Sequence, residues 1–277
     1  MSKYLVTGAA SGIGAAVVHL LRADGHEVLA VDRTEQPGIV RADLADPVEV
    51  TRLIAAAGEL AGVANVAGLP GTAPARTVLR VNFLAARALG QGLAPRLPRG
   101  GAVVNVASLA ARRPGVDDAT AWRLATGPDA DVLEFADAAG ISDSAAYDLS
   151  KKLLVAHTTV LAAEHAATGV RACAVSPGPV QTPIIGDFRT SMGPGVDAAA
   201  EILGRHGSAA EVAAVVAFLL SPAAAWVNGV DLPVDGGLLA VRAGCAPGSP
   251  GMSERSERID VTVPATADPL LPATVRP

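Results

Sequence analysis

A glycine-rich loop stands near the start of the chain, between a short apolar strand pattern and a longer helical pattern. It reads Thr-Gly-Ala-Ala-Ser-Gly-Ile-Gly from Thr7 to Gly14, and it leads directly into an Ala/Val/Leu-rich segment that ends at Ala23. Glycines permit a tight turn, and the following helix N-terminus offers free N–H groups to a pyrophosphate. A Gly cluster alone is weak evidence, but this position between strand and helix predicts a dinucleotide site. The predicted contacts here are Gly8, Ser11, Gly12, Ile13 and Gly14.

The rest of the chain, to about residue 240, alternates short apolar runs with Ala-rich segments of helical period. This alternation predicts a single α/β domain, a Rossmann-like doubly wound fold with a seven-stranded parallel sheet and helices on both faces. Aromatic residues make up only 3% of the chain, so Ala, Val and Leu must form the core. The predicted strands are Tyr4–Thr7, Glu27–Asp32, Gly38–Val40, Val63–Val66, Ala102–Ala107, Val170–Ser176 and Val230–Val234. The predicted helices are Gly12–Ala23, Pro47–Ala57, Thr77–Leu93, Ser144–Thr168 and Ala209–Leu220.

Two stretches depart from the alternation. Arg112–Asp143 is an insertion, and Trp122–Ala139 within it has helical character. From Ala243 onward the chain is rich in Gly, Pro, Ser and charge without any period, a composition that predicts a flexible tail. We therefore expect a domain over residues 1–242, with residues 112–143 near the substrate site or a subunit interface, and a tail over residues 243–277.

Several classes of function are disfavoured by composition. The net charge is −5 and no basic stripe is present, so nucleic-acid binding is not expected. Cys173 and Cys245 are too few and too isolated for a disulfide framework or a metal cluster. The first strand leaves no room for a signal peptide, and the apolar run Ala213–Leu220 is too short to span a bilayer. We expect a cytoplasmic protein without a metal or a membrane partner.

The second predicted strand ends at Asp32, eighteen residues after Gly14. A carboxylate at this position can accept both hydroxyls of an adenosine ribose and would repel a 2′-phosphate. Arg33 complicates the choice, because a guanidinium beside the ribose can receive that phosphate. Asp32 favours NAD(H), and Arg33 leaves NADP(H) open.

A tyrosine and a lysine lie four positions apart in Ser-Ala-Ala-Tyr147-Asp-Leu-Ser-Lys151. One helical turn separates them, so both side chains leave the same face of a helix. A free phenol titrates near pH 10, and a neighbouring ammonium group favours the phenolate. The pair predicts a phenol of lowered pKa that acts as an acid or base, although chance pairs of this kind occur on many solvated helices.

Taken together, these motifs resemble the short-chain dehydrogenase/reductase family over roughly residues 3–237. Asp43-Leu44 looks like the family's adenine contact, and Asn65-Val-Ala-Gly68 stands where the family usually has Asn-Asn-Ala-Gly. Val66 thus replaces an Asn that helps to brace the central strand in the family, and we expect a local adjustment. Pro177–Thr182 resembles the nicotinamide-binding turn, and Val234–Gly237 the closing segment. The cofactor contacts that this resemblance implies are Asp43, Leu44, Asn65, Ala67, Gly68, Tyr147, Lys151, Pro177, Gly178, Val180 and Thr182.

The resemblance also implies the catalytic residues Asn82, Ser108, Tyr147 and Lys151. Tyr147 would exchange a proton with the substrate oxygen, and Ser108 would hydrogen-bond that oxygen. Lys151 would hold the nicotinamide ribose and lower the Tyr147 pKa, while Asn82 would fix a water that links Lys151 to solvent. These roles imply an enzyme that oxidises alcohols or reduces ketones.

The long insertion resembles a bacterial subgroup, the 3α-hydroxysteroid dehydrogenase/carbonyl reductases and related aromatic-alcohol dehydrogenases. We expect a homodimer or homotetramer, although an inserted helix at 112–143 could block the common family tetramer. Apolar residues after Thr182 predict a hydrophobic substrate that is cyclic, aromatic or steroid-like, and they are Pro183, Ile184, Ile185, Phe188 and Met192. Two alternatives remain open: an NADPH-dependent ketoreductase of a biosynthetic pathway, and a non-catalytic dinucleotide-binding protein.

Overall fold

The computed structural model describes residues 1–244, except residue 114. In this part of the chain the strands are β1 (Lys3–Thr7), β2 (Glu27–Asp32), β3 (Val40–Arg41), β4 (Gly62–Asn65), β5 (Ala102–Val106), β6 (Arg171–Pro177), β7 (Val180–Gln181), β8 (Gly207–Ser208) and β9 (Asp231–Val234). Seven of them form one parallel sheet in the order β3-β2-β1-β4-β5-β6-β9. The order runs outward in both directions from β1 and β4, so the predicted doubly wound fold is confirmed.

Helices cover both faces of this sheet. They are α1 (Gly12–Ala23), α2 (Pro47–Ala56), α3 (Ala75–Leu79), α4 (Ala86–Leu93), α5 (Asp118–Thr126), α6 (Asp129–Ala138), α7 (Asp143–His165), α8 (Ile185–Met192), α9 (Gly195–Leu203), α10 (Ala209–Leu220) and α11 (Leu238–Arg242). Residues of α1 and α10 form one hydrophobic cluster with the sheet, and residues of α2, α4 and α7 form another on the opposite face. Every residue of β4 and β5 is buried, as expected for central parallel strands between two helical layers.

Polar side chains fix where several of these helices begin. Asp46 accepts a hydrogen bond from the Val48 amide ahead of α2, and Ser142 accepts one from the Ala145 amide ahead of α7. A reciprocal capping box joins Ser208 and Glu211 at the start of α10. Such caps satisfy amides that have no partner inside the helix, and they set the first residues of α7, the helix that carries Tyr147.

The structure departs from the predicted elements most clearly at three places. The third strand was expected at Gly38–Val40 but pairs with β2 at Val40–Arg41. The helix expected at Thr77–Leu93 begins at Ala75, and its middle turn, Arg80–Ala85, is a π-helix. No helix or strand was predicted for residues 183–208, yet they hold α8 and α9 and end in β8, which pairs with β7. Glycines interrupt this segment, and its apolar residues repeat over only short stretches. Both features weaken the helical periodicity on which helix prediction depends.

The insertion forms two helices, α5 and α6, where the sequence indicated one helical stretch. Their apolar residues share a third hydrophobic cluster with α3 and α7. Arg87 of α4 is 4% exposed and donates hydrogen bonds to the carbonyl oxygens of Leu124, Ala125 and Gly127. It also pairs with Asp129 at the start of α6. This one buried guanidinium therefore fastens the turn between the inserted helices to the main domain.

The chain divides into a compact unit of residues 1–238 and a second unit of residues 239–277, described only to residue 244. The predicted flexible tail from Ala243 lies, except for its first two residues, outside the described part of the chain, and its boundary stays a prediction. Cys173 is buried in β6, as expected for a small core residue, whereas Cys245 lies outside the described residues. Among the helices described, none has the length and apolar character needed to cross a bilayer.

Candidate active site

The functional side chains predicted from the sequence collect at the carboxyl edge of the sheet, beside the point where β1 and β4 meet. Parallel strands that diverge here leave a crevice, which is the usual ligand site of an open α/β sheet. Thr7 ends β1, and its hydroxyl oxygen accepts hydrogen bonds from the amides of Val66 and Ala67 at 3.0 and 3.1 Å. These bonds hold the ends of the two strands together at the crevice.

The glycine loop forms a cradle that a side chain would fill. Gly8 and Gly12 have φ angles of 68° and 55°, in the left-handed region that favours glycine. A Cβ atom at Gly14 would lie 2.0 Å from the Gly8 carbonyl oxygen, and one at Gly8 would lie 2.8 Å from the Ala67 Cα atom. Ser11 stands at the N-cap of α1 without a side-chain capping bond, so its hydroxyl leaves the first amides of the helix to a ligand. This geometry fits a pyrophosphate, and it includes Ile13 in the first helical turn.

Asp32 lies at the end of β2 beside this loop. Its carboxylate accepts hydrogen bonds from the amides of Ala10 and Thr34 at 3.1 and 2.9 Å. Each carboxylate oxygen has a second lone pair, so these bonds orient the group without exhausting its capacity to accept from a ribose. The Arg33 side chain is exposed beside it. Asp43 accepts from the Ala45 amide at 2.9 Å, which positions the buried Leu44 at the predicted adenine contact.

The predicted nicotinamide turn closes the other side of the crevice. Gly178 follows β6 and donates to the Val234 carbonyl oxygen at 3.1 Å. Val180 is held in β7 by its pairing with β8. Thr182 reaches the glycine loop, since a Cβ at Gly12 would lie 3.4 Å from its methyl group. Pro177 is the last residue of β6, and Gly178, Val180 and Thr182 follow it. The four predicted residues of this turn therefore connect the end of β6 with the glycine loop.

A buried chain of side-chain hydrogen bonds braces the central strands behind the site. Asn65 donates to the Asn105 side-chain oxygen at 2.8 Å, and Asn105 donates to the Thr158 hydroxyl at 2.9 Å. Asn65 also donates to the carbonyl oxygen of Ala86 at 3.2 Å. The Val66 side chain packs against the hydrophobic cluster of α1 and α10, and the local adjustment expected from it stays a prediction. Asn105 and Thr158 were not predicted as part of this brace. An Asn inside the apolar run of β5 was nevertheless a signal for a buried hydrogen bond.

Asn82 lies in the π-helical turn, a deviation that is frequent at functional sites. It accepts from the Leu69 amide at 2.7 Å and donates to the Leu69 carbonyl oxygen at 3.0 Å and to the Ser150 hydroxyl at 3.2 Å. A Cβ at Gly68 would lie 3.4 Å from the Lys151 ammonium nitrogen and 3.5 Å from the Asn82 side-chain oxygen. Glycine at position 68 thus leaves open the space between the two groups that the predicted proton relay would join.

Ser108, Tyr147 and Lys151 converge at the end of β5. The Ser108 hydroxyl lies close enough to the Tyr147 phenol to lower its pKa, and the Lys151 nitrogen lies 5.7 Å from the centroid of the Tyr147 ring. Lys151 is 4% exposed and donates to the Val106 carbonyl oxygen at 2.8 Å. Helix α7 places the tyrosine and the lysine on one face, as their spacing predicted, and β5 delivers the serine to them.

The pKa of Tyr147 does not follow the expected direction. Burial raises the pKa of this phenol to about 12, the Ser108 hydrogen bond lowers it, the Asp148 charge raises it and the Arg113 charge lowers it. Burial also lowers the pKa of Lys151 to about 8. The expectation of a lowered Tyr147 pKa is therefore wrong for this structure, because desolvation of the phenolate outweighs the nearby polar groups. The two charges from Asp148 and Arg113 were not anticipated from the sequence.

Helix α8 covers the phenol. The Phe188 ring packs edge-on against the Tyr147 ring at a centroid distance of 5.3 Å. Ser144 donates from its hydroxyl to the Ser191 carbonyl oxygen at 3.0 Å, which ties the end of α8 to the start of α7. Tyr147 is consequently only 5% exposed, and the nearest covering surface is apolar.

Two family models match the chain. One described as short chain dehydrogenase matches residues 3–120, and one described as enoyl-(acyl carrier protein) reductase matches residues 133–239. The coniferyl-alcohol dehydrogenase of Pseudomonas sp. (strain HR199 / DSM 7063) is 35% identical, over 85% of this chain and 96% of that protein. The 3-alpha-hydroxysteroid dehydrogenase/carbonyl reductase of Comamonas testosteroni is 31% identical, over 87% and 98%. The crystal structure of the 3-alpha-hydroxysteroid dehydrogenase from Pseudomonas sp. B-0831, complexed with NADH, is similar with a TM-score of 0.78 at 34% identity, over 87% of this chain and 98% of that one.

Proposed function

The chain belongs to the short-chain dehydrogenase/reductase family, and we propose that it transfers a hydride between NAD(H) and a hydrophobic secondary alcohol or ketone. Membership makes it an oxidoreductase of alcohols and ketones that uses a nicotinamide cofactor. One observation carries the proposal further: a buried phenol, a serine hydroxyl and a lysine converge beside a glycine cradle that a Cβ would fill.

The residues divide the chemistry among them. When bound, the cofactor supplies or accepts the hydride, which is its own chemistry. The Tyr147 phenol donates a proton to a ketone oxygen, or as phenolate removes the proton from an alcohol. The Ser108 hydroxyl hydrogen-bonds the same substrate oxygen and stabilises its developing charge. Lys151 binds the nicotinamide ribose. Together with Asn82 it also forms the relay through which protons exchange with solvent.

The raised pKa of Tyr147 sets a direction for the pH dependence. With a pKa of about 12 the phenol keeps its proton at neutral pH, so it is ready to protonate a ketone. Oxidation of an alcohol requires the phenolate, and its rate should rise as the pH rises toward the phenol's pKa. Ketone reduction measured from pH 6 to 8 should therefore be nearly independent of this group, whereas alcohol oxidation should increase over the same range.

The central test is Tyr147→Phe. It should remove turnover of ketones and alcohols while NADH binding, followed by fluorescence titration, is retained. Thr159→Ala, at an exposed position further along the same helix, is a control for disturbance of α7. Substantial residual turnover in Tyr147→Phe would contradict the assignment. Wild-type protein that binds NADH without turning over any alcohol or ketone would favour the non-catalytic alternative.

The cofactor proposal rests on Asp32, whose carboxylate is held at the end of β2 by two backbone amides. A 2′-phosphate at this position meets a fixed negative charge, so kcat/KM with NADH should exceed that with NADPH. Asp32→Ser should lower the ratio of kcat/KM with NADH to kcat/KM with NADPH, because it removes the charge that repels the 2′-phosphate. Arg33→Gln should raise this ratio, because it removes a cation that could bind the 2′-phosphate. A wild-type preference for NADPH would support the alternative, an NADPH-dependent ketoreductase that uses the exposed Arg33.

The substrate proposal rests on the apolar cover of the phenol. Phe188 lies against Tyr147, and Met192 lies at the far end of α8 beside Arg113. We propose cyclic or aromatic secondary alcohols and ketones, with steroids within the range. A panel of cyclohexanones, aryl ketones and 3-ketosteroids tests this, and activity confined to small polyols would contradict it.

We also propose that the protein works as a homodimer or homotetramer in the cytoplasm. The inserted helix α5 packs on α7, which leaves less of α7 free for another subunit. Size-exclusion chromatography with light scattering measures the subunit number directly. A monomer that is fully active would contradict the oligomer.

A further inference from the structure

A carboxylate on the last strand of the sheet, Asp231 of β9, joins two segments that lead to the candidate active site. Its Oδ1 atom accepts a hydrogen bond from the Ser176 hydroxyl at 2.6 Å, and its Oδ2 atom accepts one from an Arg112 nitrogen at 2.6 Å. Hydrogen bonds to an ionised group are shorter and stronger than those between neutral groups. The Asp231 side chain is 12% exposed and Ser176 is fully buried, so water competes little for the bond between them.

The bond to Arg112 leads to the predicted catalytic serine. Ser108 is the N-cap of a single 3-10 turn, and Arg112 is the last residue of that turn. The Ser108 hydroxyl accepts a hydrogen bond from the Ala110 amide at 3.1 Å, and the Ser108 carbonyl oxygen accepts one from the Ala111 amide at 3.0 Å. A turn this short passes a displacement of its last residue on to its first. Because Arg112 is paired with Asp231, the position of the Ser108 hydroxyl depends on β9.

The bond to Ser176 leads to the predicted nicotinamide turn. Ser176 stands directly before Pro177, which is the last residue of β6 and the first of that turn. Strands β6 and β9 pair in parallel, with Ala174 opposite Asp231. Side chains two positions apart on a strand share one face of the sheet, so the Ser176 hydroxyl lies diagonally beside the Asp231 carboxylate. The same carboxylate therefore fixes the end of β6, where the nicotinamide turn begins.

We propose that Asp231 is a positioning residue that holds the Ser108 hydroxyl at a fixed distance from the nicotinamide turn. It acts through Arg112 toward the serine and through Ser176 toward the turn, and we call these three side chains the Asp231 clamp. Transfer of a hydride requires the substrate oxygen and the nicotinamide to be aligned, and a misplacement of about 1 Å costs roughly 100-fold in rate. The proposal rests on the proposed function, because it assigns Ser108 to the substrate oxygen.

The first test separates kcat from KM for reduction of a cyclic ketone with NADH. Arg112→Gln should lower kcat roughly 10-fold and leave both KM values within about twofold, because a displaced Ser108 hydroxyl loses stabilisation of the transition state only. Arg112 meets Asp231 through one nitrogen, so a point charge can replace the guanidinium. Arg112→Lys should therefore recover most of the lost kcat. A wild-type kcat in Arg112→Gln would overturn the proposal.

A double-mutant cycle tests whether Arg112 acts through the serine. Ser108→Ala should lower kcat roughly 100-fold or more, because it removes a donor to the developing charge on the substrate oxygen. Arg112→Gln should have little further effect in that background, since no hydroxyl remains to be displaced. Losses that simply multiply in the double variant would show that the arginine acts elsewhere, and they would overturn the proposal.

Titration with NADH tests the other half of the clamp without any turnover. Asp231→Ala removes both bonds and Ser176→Ala removes one, and each should weaken NADH binding by roughly 5-fold, the effect of one lost hydrogen bond. Asp231→Asn keeps an oxygen that can accept from Ser176. It should bind NADH like the wild type and show the same fall in kcat as Arg112→Gln. Unchanged NADH affinity in Asp231→Ala would overturn the role assigned to the carboxylate.

Arg76→Gln is the matched control. Like Arg112→Gln it removes a half-exposed arginine from an ion pair, here with Asp137 of α6, and it lies on α3 rather than on β6, β9 or the Ser108 turn. This variant should leave kcat and NADH affinity unchanged. An equal fall of kcat in Arg76→Gln and Arg112→Gln would overturn the proposal, because loss of any surface ion pair would then be sufficient.

Hydrogen exchange separates the clamp from the proposed function. The amides of Ala110 and Ala111 bond to Ser108, and in Arg112→Gln they should exchange roughly 3-fold faster or more than in the wild type. Faster exchange at these amides, in a protein that reduces no ketone, would refute the proposed function and leave the clamp standing. Unchanged exchange and unchanged kcat in Arg112→Gln, in an enzyme that does reduce ketones, would refute the clamp alone.

Discussion

His157 makes a sharp prediction about stability and pH. It lies on α7, is 1% exposed, and packs against Phe83 with ring centroids 6.3 Å apart. Neither ring nitrogen has a hydrogen-bond partner among the residues that the structure describes. Burial, with a further contribution from the charge of Arg87, lowers the pKa of His157 to about 4. The native state therefore resists protonation of this group, while the unfolded chain accepts a proton near pH 6.5.

The sign and size follow from these two pKa values. His157 binds its proton at a lower pH in the native state than in the unfolded chain. The free energy of unfolding is therefore highest above pH 6.5 and falls as the pH drops toward 4. Each pH unit inside this window costs about 1.4 kcal/mol, which gives a loss of about 2 kcal/mol between pH 8 and pH 5 from His157 alone. His157→Leu removes the ionisable group and the unpaired nitrogens. The variant should be more stable by about 1 kcal/mol at pH 8 and by about 3 kcal/mol at pH 5.

Urea unfolding of the wild type and of His157→Leu at pH 8, 6.5 and 5 measures the effect. The difference between the two proteins isolates His157 from the other groups that titrate in this range. His19→Gln is the control, since His19 is exposed on α1 and its replacement removes an imidazole from the surface. If the free energies of unfolding of the wild type and of His157→Leu depend on pH in the same way, the argument is refuted. His157 would then be protonated in the native state, stabilised by a partner inside the fold.

Three further predictions concern the cradle, the insertion and the phenol. Gly14→Ala places a methyl group 2.0 Å from the Gly8 carbonyl oxygen, so NADH affinity measured by fluorescence titration should fall at least 10-fold. Arg87→Met leaves two buried carbonyl oxygens and one half-buried carbonyl oxygen without their donor and should lower the free energy of unfolding by about 2–3 kcal/mol, measured in urea. Ser108→Ala removes the hydrogen bond that lowers the Tyr147 pKa, so the alkaline limb of alcohol oxidation should move to higher pH, measured in a pH–rate profile.

Matched variants make these three results interpretable. Gly186→Ala adds a methyl group where nothing lies within 4 Å, and it should leave NADH affinity unchanged. Arg76→Met removes a half-exposed cation that pairs with Asp137 of α6, and it should cost well under 1 kcal/mol. Equal losses in Arg76→Met and Arg87→Met would contradict the anchoring role of the buried guanidinium. A Ser108→Ala profile that shifts to lower pH would contradict the assigned effect of the serine hydroxyl.

Much of the architecture could be predicted because its signals are local. The periods of Gly12–Ala23 and Ala209–Leu220 gave helices with those same bounds, and Glu27–Asp32 gave the second strand. The predicted and observed ends of an element differ where strand pairing determines the ends. Strand β3 is an example, because its bounds follow from its register with β2. Helix α8 escaped prediction because Phe188 and Met192 pack it against the cluster that holds α7, a tertiary contact that a short window of sequence does not contain.

The candidate site divides along the same line. Four-residue spacing on one helix is enough to place Tyr147 and Lys151 together, and a glycine loop between a strand and a helix is enough to predict a nucleotide cradle. Spacing carries no information about the dielectric surroundings of the phenol, so the direction of its pKa shift was wrong. Only the folded chain shows α8 covering Tyr147, and only the fold brings Arg113 to Asp148 across 35 positions of sequence.

The sequence by itself determined the fold class and predicted which side chains lie together at the candidate site, because backbone geometry and side-chain period are properties of neighbouring residues. Tertiary structure decided how deeply those groups are buried and which charges act on them. Burial and electrostatic fields arise from residues that are distant in the chain, and packing is what brings those residues within a few ångströms of each other.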